Sequence, residues 1–123
     1  MPWSTWKLLG EGYGYLPVHY EGAVCYELAI RCKTEARVVY VGKATHANQR
    51  LNAHARGGSH LRKRVLLRHR NGWSIYYRFH KHKNADAARA MEERLLETYR
   101  YPWNKKGLDR RHRLPLPIPD IRA

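Results

Sequence analysis

No apolar run in this 123-residue chain is long enough to cross a bilayer. No basic helix carries the broad greasy face of one that lies on a bilayer either, so an anionic membrane is a poor candidate partner. The first residues, MPWSTWKLLGEGYGYLP, lack the basic start and apolar stretch of a signal peptide, so the expected location is the cytoplasm. Cysteine is scarce. Cys25 and Cys32 have no CxxC spacing, which argues against structural zinc. If both sit in one strand, they are too far apart along it to bond each other. There is no internal repeat, and nothing resembles a sequence-reading module such as a zinc finger or homeodomain.

Acidic residues are scarce too. Ten Asp and Glu stand against 24 Lys and Arg, for a formal charge of +14 and a pI near 10.2. A charge of that size points to a polyanion, with nucleic acid first. Most of the eight histidines sit beside Arg or Lys, as in RHR and HKHK, and read as extra basic surface. The length suits one domain with a single modest core and leaves no room for a second catalytic domain.

Along the chain, residues 1–21 read as an irregular arm rich in Gly, Trp and Tyr. AVCYELAI (23–30) and RVVYVG (37–42) read as strands joined by the short turn RCKTEA, hence an antiparallel hairpin. THANQRLNAHA (45–55) is helical in content, with Thr45 as N-cap and Gly57-Gly58 as the stop. SHLRKRVLLRHR (59–70) follows, with Ser59 as a candidate cap and Asn71-Gly72 as its end. WSIYYRFHK (73–81) alternates, placing Trp73, Ile75, Tyr77 and Phe79 on one strand face. NADAARAMEERLLETYRY (84–101) is the strongest helix, capped by Asn84 or Asp86 and stopped by Pro102. Residues 105–123 form a tail that is basic and then proline-rich. The order β-β-α-α-β-α predicts an α+β fold, a small three-stranded antiparallel sheet flanked by helices.

The last helix carries an anomaly. Ala88, Met91, Leu95, Leu96 and Tyr99 define an apolar arc, and Glu92 falls inside it while Glu93 points to the wet face. A carboxylate among core-facing residues needs a partner. Either it bridges an arginine, or it ligates a hard divalent ion. In the stretch VVYVGKATHANQRLNAH, Arg50 and His54 are spaced to share a helix face, and Arg matches phosphate oxygens with a planar fork. Tyr40 in a strand is ordinarily packing, and a single Arg or His on a basic protein is ordinarily solvated charge.

The order of these residues is more specific than any one of them. Tyr26 in CYEL, Tyr40-Val41-Gly42 followed by Lys43-Ala44, Arg50, His54, Glu92 with leucines at 95 and 96, and Asn104 together resemble the GIY-YIG nuclease family. The resemblance covers roughly residues 22–104. His54 matches the histidine of the restriction and homing endonuclease branches. Val24 stands where the family motif has glycine, with Gly22 two places earlier. Pro102 lies one place late relative to Glu92; aligning on it would select Glu93, whereas helix geometry selects Glu92.

The resemblance implies metal-dependent hydrolysis of phosphodiester bonds in DNA. It makes Glu92 the ligand of a Mg²⁺ or Mn²⁺ ion and Arg50 the clamp on the non-bridging oxygens. Tyr26 becomes the general base, with Lys43, Arg50 and the metal favouring its phenolate over the ordinary pKa of about 10. Tyr40 would orient the water or phosphate, and His54 would hydrogen-bond Tyr26 or relay its proton. Gly42 would turn the chain without crowding the phosphate, and Asn104 would brace the site from behind.

The DNA-binding residues expected from LRKRVLLRHR and RFHKHK are Arg62, Lys63, Arg64, Arg68, Arg70, Arg78, Lys81 and Lys83. A compact restriction-type enzyme, a structure-selective nuclease and a mobile-element or phage nuclease all fit. The restriction-type option implies a homodimer that cuts both strands. The chief rival is a non-catalytic basic DNA- or RNA-binding protein. A weaker one is a basic partner of an acidic surface, with the proline tail as its ligand segment.

Overall fold

The computed structural model describes residues 3–11, 14–15, 17–56, 58–104 and 113–121. The expected hairpin is present as β3 (Val24–Cys32) and β4 (Glu35–Ala44), following two short strands, β1 (Lys7–Glu11) and β2 (Gly14–Tyr15). Then come α1 (Ala47–Ala55), α2 (Arg62–Arg70), β5 (Ser74–Lys81) and α3 (Ala85–Thr98). The sheet is antiparallel in every pairing, in the order β2-β1-β5-β3-β4. The three expected strands form its centre and one edge. The correction lies in the arm, which is not irregular throughout: β1 pairs with β5, and Leu9 is fully buried. Its glycines and aromatics concealed a strand too short to show alternation.

Helices cover both faces. Leu51 of α1 and Val65 of α2 pack with Tyr26, Leu28, Ile30, Ile75, Tyr77 and Phe79 on one. Leu96 of α3 packs with Cys25, Ala29, Val38 and Val41 on the other, joined by Trp3, Trp6, Leu116 and Ile121. The proline-rich segment is extended and lies on this second face. Leu114 bridges Tyr99 there. The basic stretch 105–112 and Gly57 lie outside the described residues. In α3, Ala88 and Leu96 are buried, Met91, Glu92 and Leu95 half-buried, and Glu93 exposed. The Asn84 side chain caps this helix by accepting the Ala87 N–H. Thr45 does not cap α1; the N-cap is His46, with no side-chain bond. Ser59 precedes α2 but does not sit at its N-cap, which is Leu61.

One irregularity positions the site. Leu28 pairs with Tyr40, and its neighbour Ala29 pairs with Val38, so β4 carries an extra residue at Val39. Without it, strand alternation would send Val39 and Tyr40 to opposite faces. The bulge puts both on the Tyr26 face. It also lies on the outer strand, where the segment after α3 grips it: Trp103 N–H donates to the Val39 carbonyl at 2.8 Å. Asn104 then works like a short strand. Its side-chain oxygen accepts Val41 N–H at 3.0 Å, and its side-chain nitrogen donates to Val41 O at 2.9 Å.

Candidate active site

Tyr26 lies at the bottom of the site, with no exposed surface. β3 is covered on both sides, so its residues are driven inward by the sheet itself. Directly opposite in the register is Gly42. A Cβ on Gly42 would fall 2.5 Å from Tyr26 Oη and 2.6 Å from Cζ, so the ring occupies the space a side chain would fill. This corrects the expected role of Gly42. It lies inside β4 rather than at a turn, and it makes room for a phenol ring.

From above, α1 contributes His54 and Arg50, one turn apart as the spacing requires. His54 is fully buried, with Nε2 2.7 Å from Tyr26 Oη and Nδ1 2.7 Å from Ser59 Oγ. Arg50 is exposed at the rim, and both it and Tyr40 act electrostatically on Tyr26. Tyr40 is slightly shallower, at 8% exposed. Its ring packs on Tyr26 and edge-on to His54, and its hydroxyl lies 3.3 Å from His60 Nε2.

Burial sets the electrostatics. It raises the Tyr26 phenol well above its ordinary pKa; Tyr40 adds to the rise and Arg50 opposes it. Tyr40 is raised by burial as well, with Arg50 lowering it and Glu92 raising it. His54 is pushed down to about 3 by burial, then by the charges of Arg50 and His60. At neutral pH the imidazole is therefore uncharged, and one of its nitrogens can accept a hydrogen bond.

Glu92 approaches from α3, on the opposite face of the sheet. Its charge raises Tyr40 on one side and Cys25, pushed up to about 12 mainly by burial, on the other. The Glu92 charge is thus felt on both faces of the sheet near β4, its last strand. Among the described residues no three His, Cys, Asp or Glu side chains cluster as a metal cage. A single half-buried carboxylate suits an ion that keeps most of its waters, as Mg²⁺ does.

Tyr26, Tyr40, Arg50 and His54 thus lie together, with Glu92 acting on Tyr40 by charge; Lys43 does not join them. It is exposed and pairs with Cys25, so it belongs to the α3 face and is not among the groups that shift Tyr26. A cavity of about 290 Å³ opens beside Arg50, between Ala44, Thr45, His46, Gln49 and Ala53. A larger one, about 460 Å³, lies on the far face around Trp3, Trp6 and the proline-rich segment, away from this chemistry.

Of the expected DNA-binding residues, Arg62, Lys63, Arg64, Arg70, Lys81 and Lys83 are exposed. Arg68 is half-buried over the Trp73 ring. Arg78 is corrected: it pairs with buried Glu27 at 2.6 Å and lies 4.4 Å from the Trp3 ring and 4.8 Å from that of Trp6. A guanidinium so engaged holds the core rather than phosphate. Sequence reasoning missed Ser59 and His60 as site residues. Ser59 read as a helix cap, and His60 as one more base in a basic run. The signal available was their place in the connection following the helix that carries His54.

No curated protein and no solved structure matches the chain. The model of a family described as GIY-YIG domain-containing protein does match, over residues 14–115. That span is most of the chain and includes both tyrosines, Arg50, His54, Glu92 and Asn104. The chain belongs to the GIY-YIG family of nucleases.

Proposed function

We propose that this protein is a divalent-metal-dependent endonuclease that hydrolyses phosphodiester bonds in DNA, of restriction or structure-selective type. The observation that carries the reading is the convergence of Tyr26, Tyr40, Arg50 and His54, with the charge of Glu92 felt at Tyr40.

Arg50 is the exposed cation of the site and clamps the non-bridging oxygens of the scissile phosphate. Glu92 would hold the metal ion. Mg²⁺ or Mn²⁺ bound there would neutralise the phosphate and stabilise the leaving oxygen. Tyr26 takes a proton from the attacking water as its own passes to His54 across the 2.7 Å contact; burial of both groups opposes that transfer, so charge at the site must drive it. Because the phenol is raised by burial, this exchange depends on Arg50 staying close. Tyr40 orients the water or phosphate above it, and Asn104 fixes the β4 backbone behind it. The exposed cations of α2 and of the β5 end hold flanking DNA by charge, so binding weakens steeply with salt. Restriction-type cutting of both strands would call for a homodimer.

The rival, a non-catalytic binder, takes support from one feature: the Tyr26 hydroxyl is closed to solvent. Supercoiled plasmid incubated with Mg²⁺ or Mn²⁺ separates the two. Wild type nicks it while Glu92→Ala does not, yet both shift DNA in a gel. Intact plasmid, flap and single-stranded DNA after incubation with wild type would leave the binder as the better reading. Cut positions then distinguish sequence-specific from structure-selective action.

A further inference from the structure

We propose that Ser59 is a positioning residue that holds His54 in the tautomer carrying its proton on Nδ1, leaving Nε2 to receive the Tyr26 proton. The catalytic consequence rests on the nuclease reading above; the tautomer itself does not.

A neutral imidazole donates from one nitrogen and accepts at the other, and His54 has a partner at each. The two ends differ in their surroundings. Tyr26 is closed to solvent, so its single proton must find an acceptor inside the protein. Arg50, whose charge acts on the phenol, has only donors to offer and cannot take that proton. If His54 donated from Nε2 instead, Tyr26 would have to send its proton to Tyr40, whose ring centroid lies 6.1 Å from its own. Nε2 as acceptor, 2.7 Å away, satisfies Tyr26 directly.

The Ser59 end can meet that requirement. Its hydroxyl oxygen accepts Leu61 N–H at 3.2 Å, and its carbonyl accepts Arg62 N–H at 3.1 Å, so the first turn of α2 fixes the residue. A second lone pair remains for His54 Nδ1–H at 2.7 Å. Ser59 is half-exposed, so water can take its own proton. The arrangement has the logic of a base oriented by a third group, built here from a serine oxygen rather than a carboxylate.

Ring-nitrogen shifts of His54 in the ¹⁵N-histidine-labelled full chain without DNA, assigned by comparison with His54→Gln, read the tautomer directly. Wild type and Ser59→Thr, which keeps the hydroxyl, show the proton on Nδ1. Ser59→Ala shows a mixture of tautomers. In plasmid cleavage Ser59→Ala lowers kcat at least about tenfold with little change in KM, and Ser59→Thr restores it. A wild-type proton on Nε2 overturns the proposal even if no Ser59 variant folds, and so does a Ser59→Ala protein with an unchanged tautomer. If wild type shows the Nδ1 proton but cuts no DNA, the nuclease reading has failed and the assignment of Ser59 stands.

Discussion

Tyr26 and Glu27 are neighbours in β3, both almost without exposed surface, and they point to opposite faces of the sheet. Each is the centre of a buried polar network. Around Glu27 every carboxylate oxygen is answered: Arg78 binds one oxygen through two of its nitrogens, and the Tyr101 hydroxyl donates to the other. Charge meets charge, and two indoles flank the cation. Around Tyr26 the groups are a phenol and an imidazole that stay neutral, with the one cation exposed at the rim. A buried carboxylate with a full set of partners resists change. The neutral phenol–imidazole pair, 2.7 Å apart, has no fixed charge between its members to hold it. The two faces show how one strand can carry both a brace and a reactive centre at consecutive positions.

Breaking the reactive face should cost activity and little else. Arg50→Ala is expected to slow plasmid cleavage about 10²–10³-fold, the size associated with losing one group that stabilises transition-state charge. Since Arg50 is exposed, its urea midpoint should shift little. Breaking the brace should do the reverse. Glu27→Ala leaves Arg78 and the Tyr101 hydroxyl without their acceptor, and about 3 kcal/mol of unfolding free energy should disappear in urea titration. Cleavage by the protein that remains folded should persist. Loss of cleavage without loss of stability in Glu27→Ala would erase the distinction between the faces.

The boundary between them can be tested through packing. Gly42→Ala drives a methyl into the Tyr26 ring, and about 1–3 kcal/mol should be lost along with cleavage. The neutral state of the reactive face has a pH signature. His54 is depressed when folded, so its contribution to stability is complete above about pH 6.5 and is lost as pH falls toward about 3. The slope is at most about 1.4 kcal/mol per pH unit, and thermal melts of His54→Gln should lack it. The smallest effect is on binding. Lys63→Ala should reduce the salt slope of DNA affinity by about one, whereas Arg78→Ala should leave that slope unchanged and lower the melting temperature.

Much of this was legible in the sequence. Alternation in WSIYYRFHK gave the strand that contains Tyr77 and Phe79, and the apolar arc of α3 separated Glu92 from Glu93. Spacing paired Arg50 with His54. What stayed hidden was whatever depends on pairing rather than pattern. The bulge at Val39 has no signature in RVVYVG, yet it decides which face Tyr40 occupies. Arg78 read as one more exposed cation because its partner, Glu27, lies far away in sequence within an apolar run. Lys43 read as a neighbour of Tyr26 because it follows Gly42, whereas strand alternation turns it to the other side. Ser59 was visible only as a helix-starting residue, since nothing local shows that a histidine ring will sit beside it.

The grip of Trp103 and Asn104 on β4 also orders events in time. The hairpin, α1 and α2 are made of nearby residues and can assemble early, so Tyr26 and His54 can meet before synthesis ends. The Asn104 contact beside the bulge spans 63 residues of sequence. Loops of that kind close late, because their entropy must be overcome before any contact forms. Glu92 is carried on the same final segment. A chain still being made thus holds Tyr26 and His54 together without Glu92 or its finished strand edge, and the proposed site is complete only when the last part of the domain docks.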